Sequence, residues 1–112
     1  MELNSSIENK LHIVEVNEQR IDASVALTFK ELMRQETDNG HDLIILDMQQ
    51  VQFVDSSGLG AIVASMKALG AGRKLVLAGM TPTVDKVFRL TRMDSVFSIF
   101  QDLEDAKSEY AP

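Results

Sequence analysis

Two serines stand between an aspartate and a glycine in Val54-Asp55-Ser56-Ser57-Gly58-Leu59-Gly60, and hydroxyls so placed can accept a phosphoryl group. An apolar run from Leu43 to Leu46 precedes this stretch and a segment of helical periodicity follows it, which predicts a strand-to-helix turn with the hydroxyls at the helix start. The first backbone N–H groups of a helix have no internal partner, and the aligned peptide dipoles leave about half a positive charge there. An anion added at that point is partly solvated by the fold itself. The chemistry implied is a switch rather than catalysis.

Asp and Ser are favoured at any helix start, so capping alone explains Asp55, Ser56 and Ser57 locally. Gly58 and Gly60 shift the balance, because they cost helix stability where the sequence shows no structural demand for them. Local composition alone still favours capping for Ser56, and Ser57 reads as structural. Other residues offer less. Gly70-Ala71-Gly72-Arg73-Lys74 lacks the spacing of a Walker phosphate loop and reads as a helix C-cap and turn. His12 and His41 are far apart, with no His-Glu-x-x-His or similar ligand set, so both read as surface or packing residues and no metal site is expected. No nucleophile, base and orienting group can be assembled, which argues against an enzyme, and no cofactor is expected. The five Phe and six Met residues fall mostly on apolar stripes and read as core, with Phe88, Met93 and Phe97 as an alternative docking patch.

The elements that must position the serine loop can be read from periodicity. Leu3, Ser5 and Ile7 alternate with polar residues, Leu11 to Val16 forms a second extended run, and Glu8-Asn9 lies between, which predicts an N-terminal hairpin. From Asp22 the period changes: Val25, Phe29, Leu32 and Met33 share a helical face, with Asp22 as N-cap and Asn39-Gly40 as the stop. Leu43 to Met48 is a continuous apolar run, the pattern of a strand covered on both faces. Leu59, Ile62, Val63, Met66 and Leu69 give the next helix, and Lys74 to Gly79 the next buried strand. Thr81-Pro82 sets a cap and a proline at the first position of a helix striped by Val84, Val87, Phe88 and Thr91. Val96 to Phe100 reads as a last strand, and Leu103, Ala106 and Tyr110 as a short terminal helix. The expected fold is α/β: a mixed sheet with an N-terminal hairpin, a parallel core and about four helices, in one domain over residues 1–112. In such sheets ligands meet the carboxyl ends of the strands, where the Asp55-Ser56-Ser57 and Thr81-Pro82 turns are expected.

Composition narrows the partners. A net charge of −6, with Arg73-Lys74 as the only basic cluster, argues against nucleic-acid binding, which needs a concentrated Lys/Arg surface. No apolar run approaches the roughly 20 residues needed to cross a bilayer, and the first residues lack the pattern of a secretory signal. A cytoplasmic protein without membrane insertion is expected. With no cysteine in the chain, disulfides, thiolate metal sites and cysteine nucleophiles are excluded.

The order of hairpin, helix, strand, Asp-Ser-Ser-Gly-Leu-Gly, helix, strand and helix resembles the STAS domain, specifically the stand-alone bacterial anti-sigma-factor antagonists. The resemblance spans nearly the whole chain, and its most specific piece is Phe53-Val54-Asp55-Ser56-Ser57-Gly58-Leu59-Gly60, with Ile21-Asp22 before the first helix. It implies that Ser56 is phosphorylated by a serine kinase that is itself an anti-sigma factor. It further implies that the unphosphorylated form binds this kinase, that phosphorylation releases it, and that a PP2C-type phosphatase resets the cycle. By the same resemblance Asp22, Asp55, Ser57, Gly58, Leu59 and Gly60 belong to the partner-binding loop. The family usually has a glycine and an acidic residue before the Ile-Asp pair, where this chain has Gln19-Arg20, and a Gly-Leu pair after the third helix, here Arg92-Met93. The resemblance also admits a second role, as the cytosolic STAS subunit of a lipid ABC transporter.

Overall fold

The computed structural model describes residues 1–38 and 40–111. Strands β1 (Glu2–Glu8) and β2 (Leu11–Asn17) form the expected hairpin. Its turn residues are Asn9 and Lys10, one position later than expected, both at positive φ (50° and 71°). That backbone matches the twist of the flanking strands. The chain continues through β3 (Arg20–Ile21), α1 (Ala26–Glu36), β4 (Leu43–Asp47), β5 (Phe53–Val54), α2 (Ser56–Leu69), β6 (Lys74–Ala78) and α3 (Pro82–Leu90). A single 3₁₀ turn (Met93–Ser95), β7 (Ile99–Phe100) and α4 (Leu103–Tyr110) complete it.

The main sheet has the order β1-β2-β4-β6-β7, antiparallel in the hairpin and parallel from β2 onward. Alternation along the strands sorts the helices onto its two faces. Val14, Val16, Ile44, Leu46, Leu75 and Leu77 pack with Phe29, Met33, Ile62, Val84 and Phe88, so α1, α2 and α3 cover one face. Leu11, Ile13, Ile45, Val76 and Ala78 pack with Ala106, so α4 covers the other. Ile44, Ile45 and Leu46 have no exposed surface, as their continuous apolar run predicts for a strand covered on both sides. Each such side chain contributes about 1.5–3 kcal/mol by leaving water.

Three expectations are corrected. Asp22 is not the N-cap of α1: the helix begins at Ala26, and its cap residue Val25 makes no side-chain cap bond. Asp22 closes a turn just upstream, where its carbonyl accepts from Val25 N at 3.0 Å and its Oδ1 accepts from Ser24 N at 3.0 Å. The helix stops at Glu36 with Thr37 as cap, before Gly40; Asn39 lies outside the described residues. The last strand is only Ile99–Phe100, because Met93–Ser95 coils into the 3₁₀ turn and Phe97 turns into the core against Phe88, with ring centroids 6.1 Å apart. Phe88 and Phe97 are therefore core residues rather than a docking patch.

Candidate functional site

The serine loop sits on a platform separate from the main sheet. β3 and β5 pair in parallel, Arg20 opposite Phe53 and Ile21 opposite Val54. Ile21 and Val54 face inward and are buried, whereas Arg20 and Phe53 face outward. The carbonyl of Gln19 accepts from Gln52 N at 2.7 Å and from Phe53 N at 3.2 Å, which fixes the platform's lower end. α2 starts directly after β5.

Asp55 caps that helix. Its Oδ1 accepts from Gly58 N at 2.8 Å, the expected N-cap bond, and its Oδ2 accepts from Ala23 N at 3.2 Å. One carboxylate thus ties the start of α2 to the turn that follows β3. The capping role falls to Asp55 alone, and Ser57 takes no part in it. Ser56 and Ser57, the first two helical residues, are exposed, while Leu59 is half-buried against the core.

Gly58 corrects the reading of the two glycines. A Cβ built on it would lie 1.8 Å from the Ile21 carbonyl oxygen, so the first turn of α2 rests backbone to backbone on β3 and only glycine fits. A Cβ on Gly60 would meet nothing within 4 Å, and there the expectation of no structural demand holds. The sequence could not show the first contact, because it depends on a two-residue strand more than thirty positions upstream.

Asp22 stands beside this loop. Its Oδ2 accepts from Arg20 Nε at 3.0 Å, and its Oδ1 from the Ser24 amide and hydroxyl at 3.0 and 2.5 Å. Those hydrogen bonds, Ser24 first and Arg20 second, hold the Asp22 carboxyl below its ordinary range. The Arg20 guanidinium carbon lies 4.2 Å from the Phe53 ring centroid, within cation–π range. Sequence reasoning passed over Arg20 and Phe53. The signal available was the Gln19-Arg20 departure itself, a charge placed next to the loop.

The remaining candidates lie elsewhere. Gly70 caps the end of α2 at φ 81°, and Arg73 donates to the carbonyls of His41 and Thr37 at 2.8 and 2.6 Å, at the opposite edge of the sheet from Ser56. His12 is buried in β2 with its ring 5.7 Å from that of His41, a packing arrangement in which burial first and His41 second push the His12 pKa down. Among the described residues no group of three or more His, Cys, Asp or Glu side chains could hold a metal, and no helix is long and apolar enough to cross a membrane.

The chain is thus an α/β domain with an exposed hydroxyl at a helix start held by Asp55. Residues 3–106 match the STAS domain model, and the chain belongs to the STAS domain family. It is 22% identical over 105 residues to the anti-sigma-B factor antagonist of Staphylococcus aureus, covering 93% of this chain and 96% of the relative. An anti-sigma factor antagonist from Mycobacterium paratuberculosis superposes with a TM-score of 0.86 at 20% identity, over 96% of this chain and 92% of that one. The phosphorylated form of the Bacillus cell fate determinant SpoIIAA superposes at 0.67 and 19% identity, over 96% and 98% of the two chains. These structural likenesses establish the fold. The relatives so named are binding proteins rather than enzymes.

Proposed function

We propose that this protein is an anti-sigma factor antagonist working as a phosphorylation-controlled binding switch in the cytoplasm. In its unphosphorylated form it binds a serine kinase that is also the anti-sigma factor. The kinase transfers the γ-phosphoryl group of ATP to Ser56 Oγ, with ADP as leaving group and the hydroxyl proton passing to a base on the kinase. The product dissociates, and a PP2C-type phosphatase hydrolyses the ester with water to restore the hydroxyl. Named relatives support the antagonist role, including one whose phosphorylated form has been solved.

The observation that carries the reading is Ser56 itself: an exposed hydroxyl at the first position of a helix whose start is pinned by Asp55 and seated by Gly58. A phosphoserine adds about −1.5 to −2 charges. On the free domain, water and the helix N-terminus stabilise that charge. In a complex the partner displaces the water, and Asp22 and Asp55 stand close by to repel it. A penalty of roughly 3 kcal/mol weakens binding on the order of a hundredfold, enough to release a partner. Asp22, Asp55, Ser57, Gly58, Leu59 and Gly60 form the surround that the partner reads.

Intact-mass measurement after incubation with the kinase and ATP is expected to show one added phosphate on the parent and none on Ser56→Ala. Equal labelling of the variant overturns the assignment. Calorimetry is expected to show Ser56→Asp binding the kinase more weakly than the parent, and unchanged affinity counts against electrostatic release. Recovery from a membrane extract with an ATPase, in place of a soluble kinase, supports the transporter-subunit role instead.

A further inference from the structure

The segments that build the serine loop, residues 18–25 and 49–60, contain three carboxylates (Glu18, Asp22, Asp55) and a single basic residue, Arg20. A dianion on Ser56 therefore enters a neighbourhood already rich in negative charge. Arg20 is more than half exposed, lies across Phe53 on the outward side of the β3–β5 platform, and uses its Nε to hold Asp22. Asp22 and Asp55 flank the same short turn, since Asp55 Oδ2 takes the amide of Ala23, the residue after Asp22. Arg20 is thus linked to the residue before Ser56 through Asp22, its neighbour Ala23 and the Asp55 carboxylate. The Nη groups donate no hydrogen bond among the described residues, and paired guanidinium donors match a phosphate in a way that a lone ammonium does not.

We propose that Arg20 is a phosphate latch: on phosphorylation of Ser56 its guanidinium leaves Asp22 and the Phe53 ring and pairs with the phosphate. The exchange leaves the Asp22 carboxylate without its cation and bares the Phe53 ring, 38% exposed even beneath the guanidinium. Phosphorylation then alters the binding face at three side chains beyond the modified one. The latch rests on Ser56 being the phosphorylated residue.

The test uses the full chain with phosphoserine installed at position 56 during translation, so that no kinase is needed. Titration followed by phosphorus NMR is expected to give a second phosphate pKa about half a unit lower in the parent than in Arg20→Gln, with Arg20→Lys between them. Coincident curves overturn the latch. The Arg20 side-chain signals give an independent reading in the parent, and serve alone should the variant fail to fold. They are expected to lose the ring-current shift from Phe53 when position 56 carries phosphate, and unmoved signals overturn the proposal. Failure of the latch here is distinct from failure of Ser56 as a kinase target, which intact-mass labelling decides.

Discussion

Two helices of this domain, α2 and α3, each begin shortly after a strand, β5 of the small ladder and β6 of the main sheet. Both are capped, by Asp55 and Thr81, and both expose a hydroxyl in the first turn, Ser56 in one and Thr83 in the other. The local physics is shared: unpaired N–H groups, the positive end of the dipole, a side-chain cap. What differs is the second segment packed against each. α3 starts with Pro82, and its Thr81 cap bonds are long, 3.4 Å both from Val84 N and to the Val51 carbonyl. α2 is clamped at 2.8 Å by Asp55, which also reaches across to Ala23, and its first turn rests on the Ile21 carbonyl. A helix start becomes a surface of fixed shape only where another piece of backbone holds it.

The largest expected effect breaks that hold. Gly58→Ala is expected to destabilise the domain by about 3 kcal/mol, since the methyl group meets backbone that cannot turn aside. Its melting temperature is expected to fall by on the order of 10 °C. Gly60→Ala, two residues further along and in open space, is expected to raise stability by about 0.5–1 kcal/mol. Equal melting of the two variants would remove the distinction drawn between the helix starts. Next in size is the pair of caps: urea titration is expected to show a loss of about 1–2 kcal/mol for Asp55→Ala and a smaller one for Thr81→Ala. The reverse order would mean that the cross-link to Ala23 adds nothing.

The smallest effect is one of acidity. The Asp22 carboxyl is depressed in the folded state, so the unfolded chain binds its proton first as pH falls. The stability it contributes is complete above the unfolded carboxylate value and is lost as pH drops through the lower folded value. Asp22→Asn is expected to flatten the parent's loss of stability below about pH 4, measured as melting temperature against pH. An unchanged slope would mean that the bonds from Ser24 and Arg20 do not hold the Asp22 carboxylate.

Much of this was readable from the chain because strong periodicities coincide with strong punctuation. Thr81-Pro82 marks a helix start, Gly70 a helix end, and the runs around Ile45 and Val76 can bury both faces of a strand. Asp55-Ser56 was visible for the same reason. β3 and β5 were not, since two residues define no period, and with them went the pairing of Arg20 with Phe53 and the reason for Gly58. The start of α1 is hidden in the sequence because Asp22 offers the same acceptor to a turn as to a helix, and the turn takes it. Val96 to Phe100 misled because one buried aromatic in a 3₁₀ connection imitates one inward position of a strand.

The two-strand ladder beside the serine loop has an evolutionary corollary. Its inward residues, Ile21 and Val54, are committed to the core, but positions 20 and 53 project outward and pack chiefly on each other. Mutations at those two places reshape the surface beside Ser56 while the buried pair beneath them stays as it is. Duplicated copies of such a domain can therefore come to present different outer surfaces on the same core by changing a pair of neighbouring side chains.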